Sequence, residues 1–283
     1  MKIIFDEEKC SRCMLCVRDC TSGVLSTVDG KPVAVEPDWC SLCSHCIAVC
    51  PRDAIRHDGL DAGQALPVDR DQFNPENYRA IVESRRSVRH YRATPVPREQ
   101  IERIIDLSRY APTARNDENV GYVVVTDPEL IKRVSGRIFG VAQDLYARTR
   151  QGALGRFMDI TGLSRTRAMR RMGQRREEAA AGRDFILHNA PVLILLFAPR
   201  FAPFARDSCT IAATTLINYA HSLGLGTCII GYLTLALRYS PALKQMLGVP
   251  RGKRVHASLV MGYPAYGYAR TVSRKSPEII WRT

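Results

Sequence analysis

At 283 residues the chain is long enough for two domains, and its 46% hydrophobic content is ordinary for a globular protein. The first eight residues, Met1 to Glu8, turn acidic too early for a signal peptide, and the longest apolar run, Ala190 to Pro199, is too short to span a bilayer. The formal net charge of +13 is unevenly placed, which directs attention to separate segments and not to the whole surface.

The chain begins with four cysteines, Cys10, Cys13, Cys16 and Cys20, and repeats their spacing thirty residues later as Cys40, Cys43, Cys46 and Cys50. In a C-x2-C-x2-C-x3-C run, three thiolates on a tight loop take three irons of a cubane cluster. The fourth cysteine ligates the other cluster of a pair. The spacing therefore predicts Cys10, Cys13 and Cys16 with Cys50 on one [4Fe–4S] cluster, and Cys40, Cys43 and Cys46 with Cys20 on the other. Two other readings compete with it. Structural zinc usually shows two C-x2-C pairs set well apart, and a disulfide framework belongs to secreted chains, of which this one bears no mark. Clusters are assembled and kept under reducing conditions, so a cytoplasmic address is expected.

With its duplicated runs and Pro51 after the last cysteine, this stretch resembles the bacterial two-cluster ferredoxins over residues 1–62. Thr21 departs from the proline that usually follows the fourth cysteine. Ile3 to Phe5 and Val33 to Val35 read as short strands. A connector without periodicity, rich in Gly, Asp and Ala, follows from Asp58, and residues 63–75 are read as a linker.

Residues 76–283 then read as an α+β domain, a sheet covered by helices. A helix is expected over Asn77 to Arg85. A second opens at Pro97, places Ile101, Ile104, Ile105 and Leu107 on one face, and is ended by Pro112. Tyr122 to Val125 is a short strand stopped by Asp127-Pro128. Residues 128–188 look helical, and about 130–185 is a basic insertion: between Ile131 and Arg183 there are thirteen Lys or Arg against four Asp or Glu. That block reads as a solvated face or as a dock for an acidic redox partner; no nucleic-acid motif accompanies it. Val192 to Phe197 is a continuous, fully buried strand. Asp207 to Leu223 is a long helix closed by Gly224, and Cys228 to Ile230 and Val255 to Met261 complete the sheet. Cys209 and Cys228 read as core thiols, His45 as a surface residue, and Tyr263 and Tyr266 as packed aromatics.

Three guanidiniums and a hydroxyl fall within Arg85, Arg86, Ser87, Val88 and Arg89, and guanidinium forks suit a phosphate. Arg274 and Lys275 add two cations near the C-terminus. Together with Ala111 to Asn116, Gly224 to Thr227 and Gly262 to Pro264, these segments recur in the order seen in the FMN-dependent nitroreductase family, which the chain resembles over residues 76–283. That resemblance implies FMN with its phosphate and pyrimidine side on Arg85 to Arg89 and with Arg274, beside Lys275, returning to the phosphate. It implies Pro112 and Thr113 against the isoalloxazine with Asn116 nearby. Thr227 to Gly231, including Ile229 and Ile230, would present backbone N–H groups toward flavin N5. It also implies a domain-swapped homodimer with FMN at the subunit interface. Asp117 to Asn119 and the long segment from Leu130 to Asp184 depart from the family pattern.

The two halves together predict an oxidoreductase. Electrons would pass from a low-potential donor, of ferredoxin or flavodoxin type, through two [4Fe–4S] clusters to FMN and on to a nitroaromatic, quinone or similar small acceptor. The alternative is an electron-transfer protein that serves a protein acceptor. No residue is expected to do covalent catalysis.

Overall fold

The computed structural model describes residues 2–150 and 184–283. The expected basic insertion falls largely outside the described residues. The chain divides into two units, Met1–Asn74 with Arg115–Asp117, and Pro75–Ala114 with Glu118–Thr283. Among the described residues no helix is long and apolar enough to cross a membrane.

The first unit is built twice over. Its elements are β1 (Ile3–Phe5), α1 (Leu15–Asp19), β2 (Leu25–Val28), β3 (Lys31–Ala34), α2 (His45–Ala48) and β4 (Ile55–His57). β1 pairs antiparallel with β4, Ile3 opposite His57 and Phe5 opposite Ile55. β2 and β3 form a tight hairpin across Asp29-Gly30, whose φ values of 49° and 72° are the left-handed pair that a two-residue turn requires. That Asp-Gly signal marks the turn between β2 and β3. Each helix follows a loop with two left-handed residues at matching places: Arg12 and Met14 (φ 55° and 58°) before α1, Leu42 and Ser44 (φ 55° and 61°) before α2. The core is small, with Cys16, Val24, Leu25, Ile47 and Ile55 at its centre.

The second unit is an α+β fold. Its elements are α3 (Pro75–Ser84), α4 (Arg98–Ser108), β5 (Gly121–Val125), α5 (Pro128–Arg150), β6 (Val192–Pro199), α6 (Ala205–Ser222), β7 (Gly226–Ile229), α7 (Gly231–Tyr239), α8 (Pro241–Met246) and β8 (Lys253–Gly262). The strands form one antiparallel sheet in the order β5-β6-β8-β7. One face packs Ile194, Leu196, Leu259 and Met261 against Ile101 and Ile104 of α4 and Ala212 and Leu216 of α6. The other packs Leu193, Leu195 and Val260 against Ile131, Val134 and Ile138 of α5 and Leu233 and Leu237 of α7. β6 is thus apolar on both faces, which is why its sequence does not alternate.

One sequence expectation needs correction here. Leu107 does not join the buried face of α4; it is 38% exposed, whereas Ser108 is buried. Residues 101, 104 and 108 follow the i, i+3, i+7 stripe and residue 107 falls beside it. Ser108 satisfies its hydroxyl on the Ile105 carbonyl and the Tyr122 hydroxyl, each at 2.7 Å. Tyr266 packs as an aromatic at the surface: it is 54% exposed, with its ring 5.5 Å from that of His90 and 6.3 Å from that of Tyr268.

Candidate functional site

In the first unit the cysteines gather in two groups that cross between the runs. One cavity is lined by Cys10, Cys13 and Cys16 together with Cys50. A second is lined by Cys40, Cys43 and Cys46 together with Cys20. The cause is local. Each loop of left-handed residues turns three thiols to one side, and the helix that follows carries the fourth away from its own loop. All ten cysteines of the chain are free thiols.

Their surroundings differ. Burial pushes the Cys46 thiol up to about 11 and raises Cys16 as well, against backbone N–H groups that pull the other way. Cys13 is lowered, first by the Leu15 backbone N–H and then by the Ser11 hydroxyl. Outside the loops, Ala54 N–H donates to Cys50 Sγ at 3.3 Å, and His57 Nε2 lies 3.5 Å from Cys40 Sγ. His45 is exposed and sits 3.3 Å from Asp19. Among the described residues, no three His, Cys, Asp or Glu side chains converge closely enough to hold a single metal ion.

In the second unit the Arg-rich segment that follows α3 is tied to the edge strand β7. Ser87 and Thr227 form a parallel bridge, and Val88 N–H donates to the Thr227 carbonyl at 2.9 Å. Gly226 makes that approach possible. A Cβ there would lie 2.5 Å from Val88 Cγ2, so no other residue fits without moving the segment. Arg86 is the unusual member. Its Nη1 donates to the Arg85 carbonyl, while Nε and Nη2 are buried with no partner among the described residues. A guanidinium in that state calls for an acceptor.

The remaining expected residues fall as follows. Ile230 is buried and its N–H is taken by the Ser258 carbonyl at 2.8 Å, whereas Ile229 is 57% exposed. The N–H groups left for a ligand are those of Gly231 and Tyr232 at the start of α7, which has no side-chain cap, since Leu233 and Thr234 donate to the Ile230 carbonyl. Pro112 is exposed and Thr113 half-buried, with Thr113 Oγ1 accepting Glu118 N–H at 3.1 Å. Arg115, Asn116 and Glu118 all have positive φ, which marks a held, irregular loop. Asn116 is grouped with the first unit and donates its side-chain amide to the carbonyls of Ser41 and Leu42, at 3.3 and 3.2 Å. Arg274 and Lys275 lie in an exposed C-terminal segment without regular secondary structure.

Two thiols outside the runs are core residues. Cys209 is fully buried and Cys228 is 5% exposed. Cys228 nevertheless borders the site: burial raises its thiol, while the nearby Arg89 and Ser87 lower it. A cavity of about 800 Å³ lined by Arg200, Arg238, Lys244, Arg251, Lys253 and Arg254 opens at the Lys253 end of β8. It includes none of the residues above; Ser87, Val88, Gly226 and Thr227 meet at the Gly262 end of that strand, where Gly226 pairs with Gly262.

Comparison with known proteins now has a structure to refer to. The model of the nitroreductase family matches residues 82–263, and that of the 4Fe-4S dicluster domain matches residues 2–51. Iodotyrosine deiodinase 1 of Rattus norvegicus is 25% identical over 209 residues, 69% of this chain and 65% of that protein, so the match spans just under two thirds of its length. The iodotyrosine deiodinase of Thermotoga neapolitana is 22% identical over 65% of this chain and 87% of its own. Among solved structures, a nitroreductase with bound FMN from Bacteroides fragilis superposes with a TM-score of 0.53 at 20% identity, covering 74% of this chain and 100% of that one. At that identity the likeness is one of fold.

The placement of Cys209 gives a direct expectation. Burial pushes its thiol up to about 12, so at pH 8 only about one molecule in ten thousand carries the reactive thiolate. Iodoacetamide at pH 8 is expected to leave Cys209 unmodified in the native protein and to label it in urea; mass spectrometry showing native labelling would contradict its burial.

Proposed function

The chain belongs to the nitroreductase family and carries a 4Fe-4S dicluster domain ahead of it, and from that premise we propose that it is an FMN- and iron–sulfur-dependent oxidoreductase. In this reading a low-potential donor of ferredoxin or flavodoxin type supplies electrons. They pass through two [4Fe–4S] clusters to FMN and reach a small acceptor such as a nitroaromatic or a quinone. The observation that carries the proposal is the crossed grouping of eight cysteines, four around each cavity.

The donor set fits clusters better than zinc. Thiols on a zinc ion sit at about 2.3 Å from one point, whereas these line cavities and do not converge on a single ion. The raised thiols of Cys16 and Cys46 also fit, since they ionise readily only where a positively charged group takes the thiolate.

FMN likewise fits the residues present. Arg86 offers two buried, unpartnered N–H donors, Arg85 and Arg89 add charge beside it, and the uncapped start of α7 offers backbone N–H groups. The clusters supply one-electron steps, and the flavin, when bound, exchanges one or two electrons and can deliver a hydride equivalent. The chain's own residues do the rest: the guanidiniums fix the anionic end, and Gly226 together with the Val88–Thr227 hydrogen bond holds the segment that carries them against β7.

The tail supports a homodimer. Ile279, Ile280 and Trp281 are 61%, 76% and 83% exposed, an apolar stretch suited to the surface of a second copy. In that arrangement Arg274 and Lys275 would complete the partner's flavin site. The names of the deiodinase relatives extend the range of acceptors to be assayed to an iodotyrosine, beside a nitroaromatic and a quinone.

Anaerobic purification followed by metal, sulfide and flavin quantification tests the assignment. About eight irons and one FMN per chain are expected; about two zinc ions without flavin would overturn it. A second measurement addresses the phosphate end. Arg86→Ala is expected to weaken FMN binding at least tenfold, about 1.4 kcal/mol, with Arg86→Lys intermediate; unchanged flavin affinity in both would remove Arg86 from the site.

A further inference from the structure

His57 ends β4 and is not part of either cysteine run, yet its side chain is only 1% exposed. Two sides of the ring are engaged. Gly59 N–H donates to Nδ1 at 3.0 Å, and Nε2 lies 3.5 Å from Cys40 Sγ. A nitrogen that accepts an N–H carries no proton of its own, so in the neutral ring the proton is on Nε2 and faces the thiol sulfur. The one other charged group beside Nδ1 is Asp58, whose half-exposed carboxylate is 3.6 Å away, beyond a good hydrogen bond. The ring is also held in place from behind. His57 pairs with Ile3 in the sheet, its carbonyl accepts Leu60 N–H at 3.1 Å, and a side chain at position 59 would meet Leu42 Cδ2 at 2.9 Å, which keeps the turn tight around the imidazole.

The internal repeat supplies a comparison within the same molecule. The residue thirty positions before His57 is Thr27, and its hydroxyl donates to Met14 Sδ at 3.5 Å, not to a cysteine. Around the cavity of Cys10, Cys13, Cys16 and Cys50, the corresponding donor outside the loops is the backbone N–H of Ala54 on Cys50. Outside the cysteine loops the two cavities therefore differ in one side-chain donor, His57; within the loops, the Ser11 hydroxyl acts on Cys13.

We propose that His57 is a positioning residue that makes the two clusters unequal: its Nε2–H hydrogen bond to the Cys40 thiolate raises the reduction potential of the cluster held by Cys20, Cys40, Cys43 and Cys46. The inference rests on the cluster assignment above. A donor to a ligating sulfur stabilises the reduced cluster, which has one more negative charge, more than the oxidised one. One electron enters, the proton stays on Nε2, and no bond is made or broken. The consequence is directional, because an electron shared between the two clusters resides preferentially on the one beside His57.

The test is a potentiometric titration followed by electron paramagnetic resonance on the anaerobically purified full-length protein. His57→Leu is expected to shift one of the two midpoints negative by about tenfold in its reduction equilibrium, about 59 mV for a one-electron couple, and to leave the other in place. His57→Gln, which keeps an N–H donor of similar reach, should stay near the wild-type value, and His57→Asn, whose shorter side chain withdraws it, should follow His57→Leu. That last pair keeps the comparison available if His57→Leu does not load its clusters. Two unmoved midpoints, a joint shift of both, or a positive shift would overturn the role of His57. Absence of cubane signals from the wild-type protein would instead overturn the cluster assignment.

Discussion

Each cavity of the first unit is closed by a cysteine from the other run, and the fold of that unit depends on this exchange. Its apolar centre is small, and four non-glycine residues in its two cysteine loops, Arg12, Met14, Leu42 and Ser44, adopt left-handed backbone. Such conformations are unfavourable by about 1–2 kcal/mol each and persist only where the surroundings fix them. With clusters in place, bonds from four thiols drawn from both halves would supply that fixing, and their binding free energy would become folding free energy. Cys20 and Cys50 then act as cross-ties: neither half closes without the other.

The second unit solves a different problem. Its sheet has a full core on each face and needs no such tie. What it needs is to hold cationic groups at a sheet edge without neutralising them. The Ser87–Thr227 bridge joins segments 140 residues apart through backbone alone, and Arg86 keeps two buried donors without a partner among the described residues. A protein under selection for stability alone would pair or remove such a group. Gly226 lets the segment that carries Arg86 pack closely on β7, and the role proposed for those donors is to take the anionic end of FMN.

Legibility from sequence followed the range of the interactions. The cysteine runs were readable because ligand spacing is local, and β6 was readable because a strand covered on both faces is apolar without alternation. α6 announced itself by its small residues and the glycine after its end. Harder to read were features set by a partner far along the chain. The pairing of Val88 with Thr227 has no local signature, and neither does the engagement of the Asn116 amide by Ser41 and Leu42. Leu107 looked apolar enough for the core but missed the helical stripe by one position, while Ser108 entered it because Tyr122 was there to accept it. His57 lies outside both runs and belongs to no motif; only the repeat offset to Thr27 distinguished it. β2 is legible, since Asp29-Gly30 is a strong hairpin signal.

The central claim is that electrons taken up by the clusters reach the flavin within one chain. Stopped-flow reduction of the full-length protein with less than one equivalent of a low-potential reductant tests it most directly, with the cluster and flavin bands followed together. Bleaching of the cluster absorbance followed by flavin reduction, at a rate independent of protein concentration, is the expected result. Clusters that stay reduced beside an oxidised flavin, or transfer whose rate rises with protein concentration, would contradict it.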